Sequence, residues 1–306
     1  MGQIIVDIIT PLSSSTVTIQ NSVAEGLLTT ASGSNSHAEG QSTTATGISS
    51  HAEGFLAKAL GNYSHAEGYN TTASGTYSHA QGQGTKAIGQ WSSAQGSGSI
   101  ASASTAHAEG SNTIAIGTAS HAEGNGTYTS GQYSHAEGYT TKAMGDGSHA
   151  EGNQVTSLGN YSHAEGSLTT ASGQHSHAEG YSTTTGGLQS HAEGYFTVAA
   201  GGSSHAEGVN TTTSSMATGS HAGGYNTIAN GAYSFVHGTG STADADFSIV
   251  LGNNISATTK NVVYVSTLAL VDVRNYANDS AADADTTLPS GGLYTITGSR
   301  AVYRKP

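Results

Sequence analysis

A chain of 306 residues with only 9% charged residues and 43 glycines, whose commonest apolar residue is alanine, has little with which to build a thick core. That composition argues against a compact enzyme with a large buried centre. Net charge is −12 with histidine neutral, eight Lys and Arg argue against a nucleic-acid partner, zero Cys excludes disulfide and thiolate-metal frameworks, and no apolar run is long enough to span a membrane.

In chain order, residues 1–21 come first and read as an attachment segment. MGQIIVDIITPLSSS lacks a basic start, and no cation precedes Lys58, so an ordinary secretory signal is not expected. The IIVDII run before Pro11 would need a docking partner, such as a virion or filament component.

Residues 22–261 are a repeat. SHAEG or a variant starts at Ser22, Ser36, Ser50 and onward in steps of 14 to Ser204, then after one step of 16 at Ser220, Ser234 and Ser248. These are 17 units with the consensus S-H-A-E-G-x-x-T-x-A-x-G-x-x. Small residues at positions 1, 3 and 5 and at 8, 10 and 12 alternate with period two, which is the strand signal. The glycines at positions 5 and 12 are expected to mark turns. Each unit then reads as one coil of an all-β parallel solenoid, and 17 coils stack into a rod of roughly 80 Å.

Residues 262–306 regain apolar strands (Val262, Val263, Val265, Leu268, Leu270, Val271, Val273) and read as a small β-tip. Within it NDSAADADTTLPSGG is expected to be a loop, and Leu293–Thr297 with Arg300–Arg304 a hairpin around Gly298.

The outward face of the first strand carries His at position 2 in 13 units and Glu at position 4 in 12. A catalytic group is needed once per site, so copies in register argue for a structural role and against an enzyme. The S-H-x-E string does not make a hydrolase triad, because adjacent strand residues point to opposite faces. Apolar residues end the two columns, with Val23 at one end and Phe235, Ile249 and Leu251 at the other. The face is therefore expected to meet a partner surface.

Pairing each Glu with the His of the next unit accounts for all twelve Glu: Glu25 with His37, Glu39 with His51, Glu53 with His65, Glu67 with His79, and so on to Glu207 with His221. Pairing inside a unit leaves Glu25 unpaired. The expectation is an inter-coil, inter-chain His–Glu ladder, in which the His pKa is raised by a Glu partner on assembly while burial opposes the shift. An axial metal or anion on the His column is the alternative.

SIVLG at 248–252 and SVAEG at 22–26 resemble the SVAIG core of the YadA-like head repeat, also 14 residues long. That family occurs in trimeric autotransporter adhesins and phage fibres. The resemblance implies a left-handed parallel β-roll and a homotrimer; it departs at the His and Glu positions, which are apolar in the family. NVVYVSTLAL (261–270) and LPSGGLYTITGSRAVYRKP (288–306) are similar to carboxyl ends of phage and other viral structural proteins.

The resulting expectation is a trimeric fibre of a phage or other virus, extracellular or on a virion, that presents a surface to a host glycan or protein. A filament subunit joined end to end is the second expectation. An ice- or surface-binding solenoid is the third, weakened because Lys58, Lys86, Lys142 and Tyr128 interrupt the outer Thr column at position 9. For glycan stacking the candidates are Phe55, Tyr63, Tyr69, Tyr77 and Trp91, with packing on a neighbouring coil as the plainer role.

Overall fold

The computed structural model describes residues 22–266, 274–276, 279–284, 293–296 and 302–304. The expected attachment segment, the strand residues Leu268, Leu270, Val271 and Val273, and the hairpin's Gly298 lie outside them. The chain divides into two compact units between Tyr264 and Val265.

In the first unit every coil forms a five-residue strand at positions 2–6 and a two-residue strand at positions 9–10, as in His37–Gln41 and Thr44–Ala45. The long strands run from Val23–Leu27 to Ile249–Asn253 and, with Val263–Val265, make one 18-stranded sheet. Pairing is parallel and residue on equivalent residue: His37 faces His51 and Glu39 faces Glu53. The short strands form a second parallel ladder, with Thr44 beside Lys58 and Ala45 beside Ala59. The coil starting at Ser204 carries two extra residues after Thr212–Thr213, and register resumes with His205 beside His221.

Positions 1, 3, 8, 10 and 12 face inward. The alanines at positions 3 and 10 are fully buried from Ala38 and Ala45 onward, with Val236 and Val250 taking over position 3 in the last two coils. A side chain of one carbon lets the two ladders approach closely, so the core is one thin column. Ser at position 1 closes the turn before it by donating to the carbonyl three residues back, as from Ser50 to Gly47 (2.8 Å) and from Ser134 to Gly131 (2.7 Å). Where position 10 is polar, its hydroxyl reaches a position-1 serine, as between Thr129 and Ser120 (2.9 Å).

Of the two glycines expected at turns, the one at position 12 opens the turn that Ser closes, as Gly47 does with Ser50, whereas the one at position 5 lies in a strand. Positions 7 and 14 carry the left-handed backbone in every coil, mostly on residues other than glycine: Ser42 (φ 55°), Leu56 (φ 58°), Tyr63 (φ 57°), Trp91 (φ 56°). That conformation costs of order 1–3 kcal/mol on a residue with a Cβ. It recurs because such N–H groups donate to the preceding coil from the second coil on, as Ser42 does to the Leu27 carbonyl and Tyr63 to the Ile48 carbonyl, both at 2.8 Å. Position-5 glycine lies inside the long strand with a positive φ, as at Gly138 (φ 114°). A Cβ there would land on the carbonyl oxygen of the next coil's glycine, Gly152. Position-12 glycine has no positive φ; it is small because Gly131 sits against the Gly145 carbonyl.

In the second unit Leu293–Ile296 pairs antiparallel with Val302–Arg304, Tyr294 facing Tyr303, and parallel with Asn275–Tyr276. The expected loop is interrupted by an α-helix, Asp279–Ala284. Its sequence DSAADA has three alanines, the strongest helix former, and an acidic residue in the first turn where the helix dipole favours it.

Candidate functional site

Since positions 1 and 3 point inward, positions 2 and 4 point outward together, and the parallel register stacks like on like. The imidazoles form two continuous runs. His37, His51, His65 and His79 stack with centroids 4.8–5.2 Å apart. Ser93 interrupts the column, and a second run extends from His107 to His221. Phe235 caps it, stacked on His221 at 4.6 Å.

Along this face eleven His Nε2 atoms, including those of His37, His51, His65, His121 and His221, are shielded from solvent and make no hydrogen bond. The nearest carboxylate is usually that of the same coil. His107 reaches Glu109 at 3.3 Å, a hydrogen bond. His121, His135, His149, His163, His177 and His191 stand 3.7–3.9 Å from the Glu two residues on, an ion-pair distance too long to satisfy a donor.

Within one chain the nearer Glu is thus the one in the same coil, whereas the sequence register pairs each His with the Glu of the coil before. Positions 2 and 4 share a face and lean together, so the own-coil Glu is met first. The cross-coil pair occurs at His221, 3.5 Å from Glu207, in the coil where position 4 is Gly223. Gln81 likewise turns back to Glu67, donating at 3.2 Å. At the start of the ladder the donor atoms of Glu25, His37 and Glu39 all lie within 4.8 Å of one another, so His37 has a carboxylate from its own and from the preceding coil. Glu53, His51 and His65 continue that column, each Glu aligned with the next coil's Glu.

The electrostatics of the single chain follow from the same packing. The His65, His121, His149, His177 and His221 rings are held below the ordinary imidazole range. Burial is the largest cause. Neighbouring rings of like charge act in the same direction, and the glutamates oppose them. Within the single chain the carboxylates are too far and too exposed to reverse desolvation, so in these five the burial that was expected to oppose the glutamates outweighs them.

Three groups on this face could hold a cation: Glu25–His37–Glu39, Glu193–His205–Glu207 and Glu207–His221–His237. The last includes His237, which the pairing count left out because it occupies position 4 in place of Glu. Its signal in the sequence was the coincidence of Gly223 and His237 at that position in consecutive coils.

The apolar ends fall on the same face. Val23, Ile249 and Leu251 are exposed, and Phe235 is half-buried under His221. The aromatic candidates form two separate ridges at the turns. Phe55 stacks on Tyr69 at 5.3 Å, and Tyr63, Tyr77 and Trp91 stack at 4.8 and 6.2 Å. The rings are about half exposed, and the faces between neighbours cover one another, so inside each ridge it is the edges that meet solvent.

A family model for the YadA head domain repeat, in its two-copy form, matches residues 24–50, 52–78, 108–127, 136–162 and 238–254. No curated protein matches the chain. Among the described residues no helix is long and apolar enough to cross a membrane. The matched segments run from the first coil to the last and share one strand register throughout, so the repeated unit of this chain is similar to the YadA head repeat and folds as a parallel β-solenoid.

Proposed function

We propose that the solenoid is the rigid body of a homotrimeric adhesive fibre, with the His and Glu columns of three chains facing one another. The observation that carries this reading is the set of eleven solvent-shielded His Nε2 atoms without a hydrogen bond. A buried unpaired polar atom costs of order 1–3 kcal/mol. A column of such atoms, continued by exposed Val23, Ile249 and Leu251, is a surface prepared for a partner. Glutamates from a neighbouring chain would supply the acceptors, which restores the inter-chain form of the His–Glu ladder. The coil is also too thin to bury much apolar area alone, and packing three such coils together offsets this.

The light-scattering mass of the full chain tests the reading at neutral pH. Three chains of 30.6 kDa give about 92 kDa. A 30.6 kDa monomer would leave the columns in water and sink the proposal, and a polydisperse mass far above the trimer would favour the end-to-end filament.

The family repeat is an adhesin head, and with the virus-like carboxyl segments it supports an extracellular fibre on a virion, pointed at a host surface. The adhesive surface is assigned to the aromatic ridges. Sugar rings stack on exposed aromatic faces, and Trp91 ends its ridge with only Thr105 at the same position in the next coil. Trp91→Ala is expected to lower binding to host cells at least about tenfold, near 1.4 kcal/mol, while the trimer mass is unchanged. Full binding by that variant would remove the ridge from the receptor site.

A further inference from the structure

We propose that Glu207, His221 and His237 form a binding site for a first-row divalent transition ion such as Zn²⁺, built around the missing side chain of Gly223. The three donors come from three successive coils, and all belong to one chain, so the site does not depend on trimer formation.

In the other coils position 4 carries a side chain that fills the space beside the histidine. In this coil it carries none. The point where a Cβ of residue 223 would sit lies 2.5 Å from His237 Nδ1, 2.9 Å from His221 Nε2 and 3.1 Å from Glu207 Oε1. Zinc lies about 2.0–2.2 Å from imidazole nitrogen and carboxylate oxygen. The three donor atoms also lie within 4.8 Å of one another, so movements of about 1 Å or less would bring all three onto one ion held between them, beyond the Cβ point and clear of the backbone. His221 Nε2 and Glu207 Oε1 are already 3.5 Å apart. Two ligands on a tetrahedral ion are separated by about 3.3 Å.

The rings are oriented for this task. His221 breaks from the parallel stack, standing at 86° to His205, and is held instead against the face of Phe235 at 11°. That rotation carries its Nε2 to the cradle, where it has neither solvent nor a hydrogen-bond partner. His237, the residue equivalent to Gly223 one coil on, has its ring nearly parallel to that of His221. The chain thus departs from the repeat at two consecutive position-4 residues, and both departures converge on one point.

Two imidazoles and one carboxylate are a donor set for zinc, ferrous iron, cobalt or nickel, and a poor one for calcium or magnesium, which prefer oxygen ligands. Three protein ligands leave at least one open position for water.

The test uses untagged, full-length protein stripped with a chelator and titrated calorimetrically with Zn²⁺. Co²⁺ is titrated in parallel, and its ligand-field bands report the donor set. The expected result is one tight equivalent per chain, weakened at least about tenfold in Gly223→Ala and in His237→Gln, and unchanged in His107→Gln, whose ring lies elsewhere in the column. Gly223→Ala keeps every donor and presses a methyl group against all three donor atoms, so it reads the cradle itself. Should that variant fail to fold, His237→Gln, on an exposed residue, decides. No stoichiometric binding by the unaltered chain overturns the proposal, and so does binding indifferent to His237→Gln.

Discussion

The smallest residues impose the tightest constraint. Glycine occupies position 5 in all 17 coils, always with positive φ, and its missing Cβ faces the backbone of the next coil. Position 8 is more permissive. Its threonine hydroxyls, such as those of Thr141 and Thr169, are buried without a partner, and Val155 takes the same place fully buried. Position 8 therefore asks for a shape, whereas position 5 asks for the absence of a side chain. Gly138→Ala would combine a disfavoured φ with a collision against the Gly152 carbonyl, and that carbonyl cannot retreat without shifting the parallel ladder. The expected loss is about 3 kcal/mol or more in thermal or denaturant unfolding. A loss below about 1 kcal/mol would mean that the strand relaxes locally and that the glycine column is dispensable.

At the scale of the element, period and core were legible because alternation is a property of residue type. Ala38 and Ala45 read inward from their spacing, and the structure buries both completely. Turn position was legible at position 12, where Gly33 and Gly47 open a turn, and not at position 5. Glycine marked the turns in the sequence because it tolerates positive φ most cheaply, yet the left-handed residues are Ser42, Leu56, Tyr63 and Trp91. Their conformation is imposed by hydrogen bonds to the neighbouring coil, an interaction absent from any single repeat. The helix at Asp279–Ala284 was hidden among loop-forming residues for a related reason: its alanines resembled the alanines of the strands. The columns of the candidate site followed directly from the repeat, including Glu207 and His221. The three-residue cradle did not, because it needs the rotated ring of His221 and the space above Gly223 together.

For the whole solenoid the consequential property is that imidazoles stack on one another along one column. His121 is packed against His107 and His135, with Glu109 and Glu123 beside it. His149 and His177 have the same surroundings, and His65 sits between His51 and His79 near Glu53 and Glu67. Burial and adjacent rings hold these four below the ordinary imidazole value of 6.5. An unfolded chain therefore takes up protons at a higher pH than the folded one does. Where the unfolded state binds more protons, stability falls with acid. The contribution is fully present above about pH 6.5 and is lost as pH falls toward the lowered folded values. Assembly through this face would remove more water from the rings, and charging many imidazoles about 4.8 Å apart opposes it further. Melting temperature is thus expected to fall between about pH 8 and about pH 5, and His121→Gln, which removes one ring from the run, should reduce that fall. A melting temperature that is flat or rises over this range would show that the glutamates dominate the column, returning the histidines to the charged, carboxylate-paired state expected from the sequence pattern.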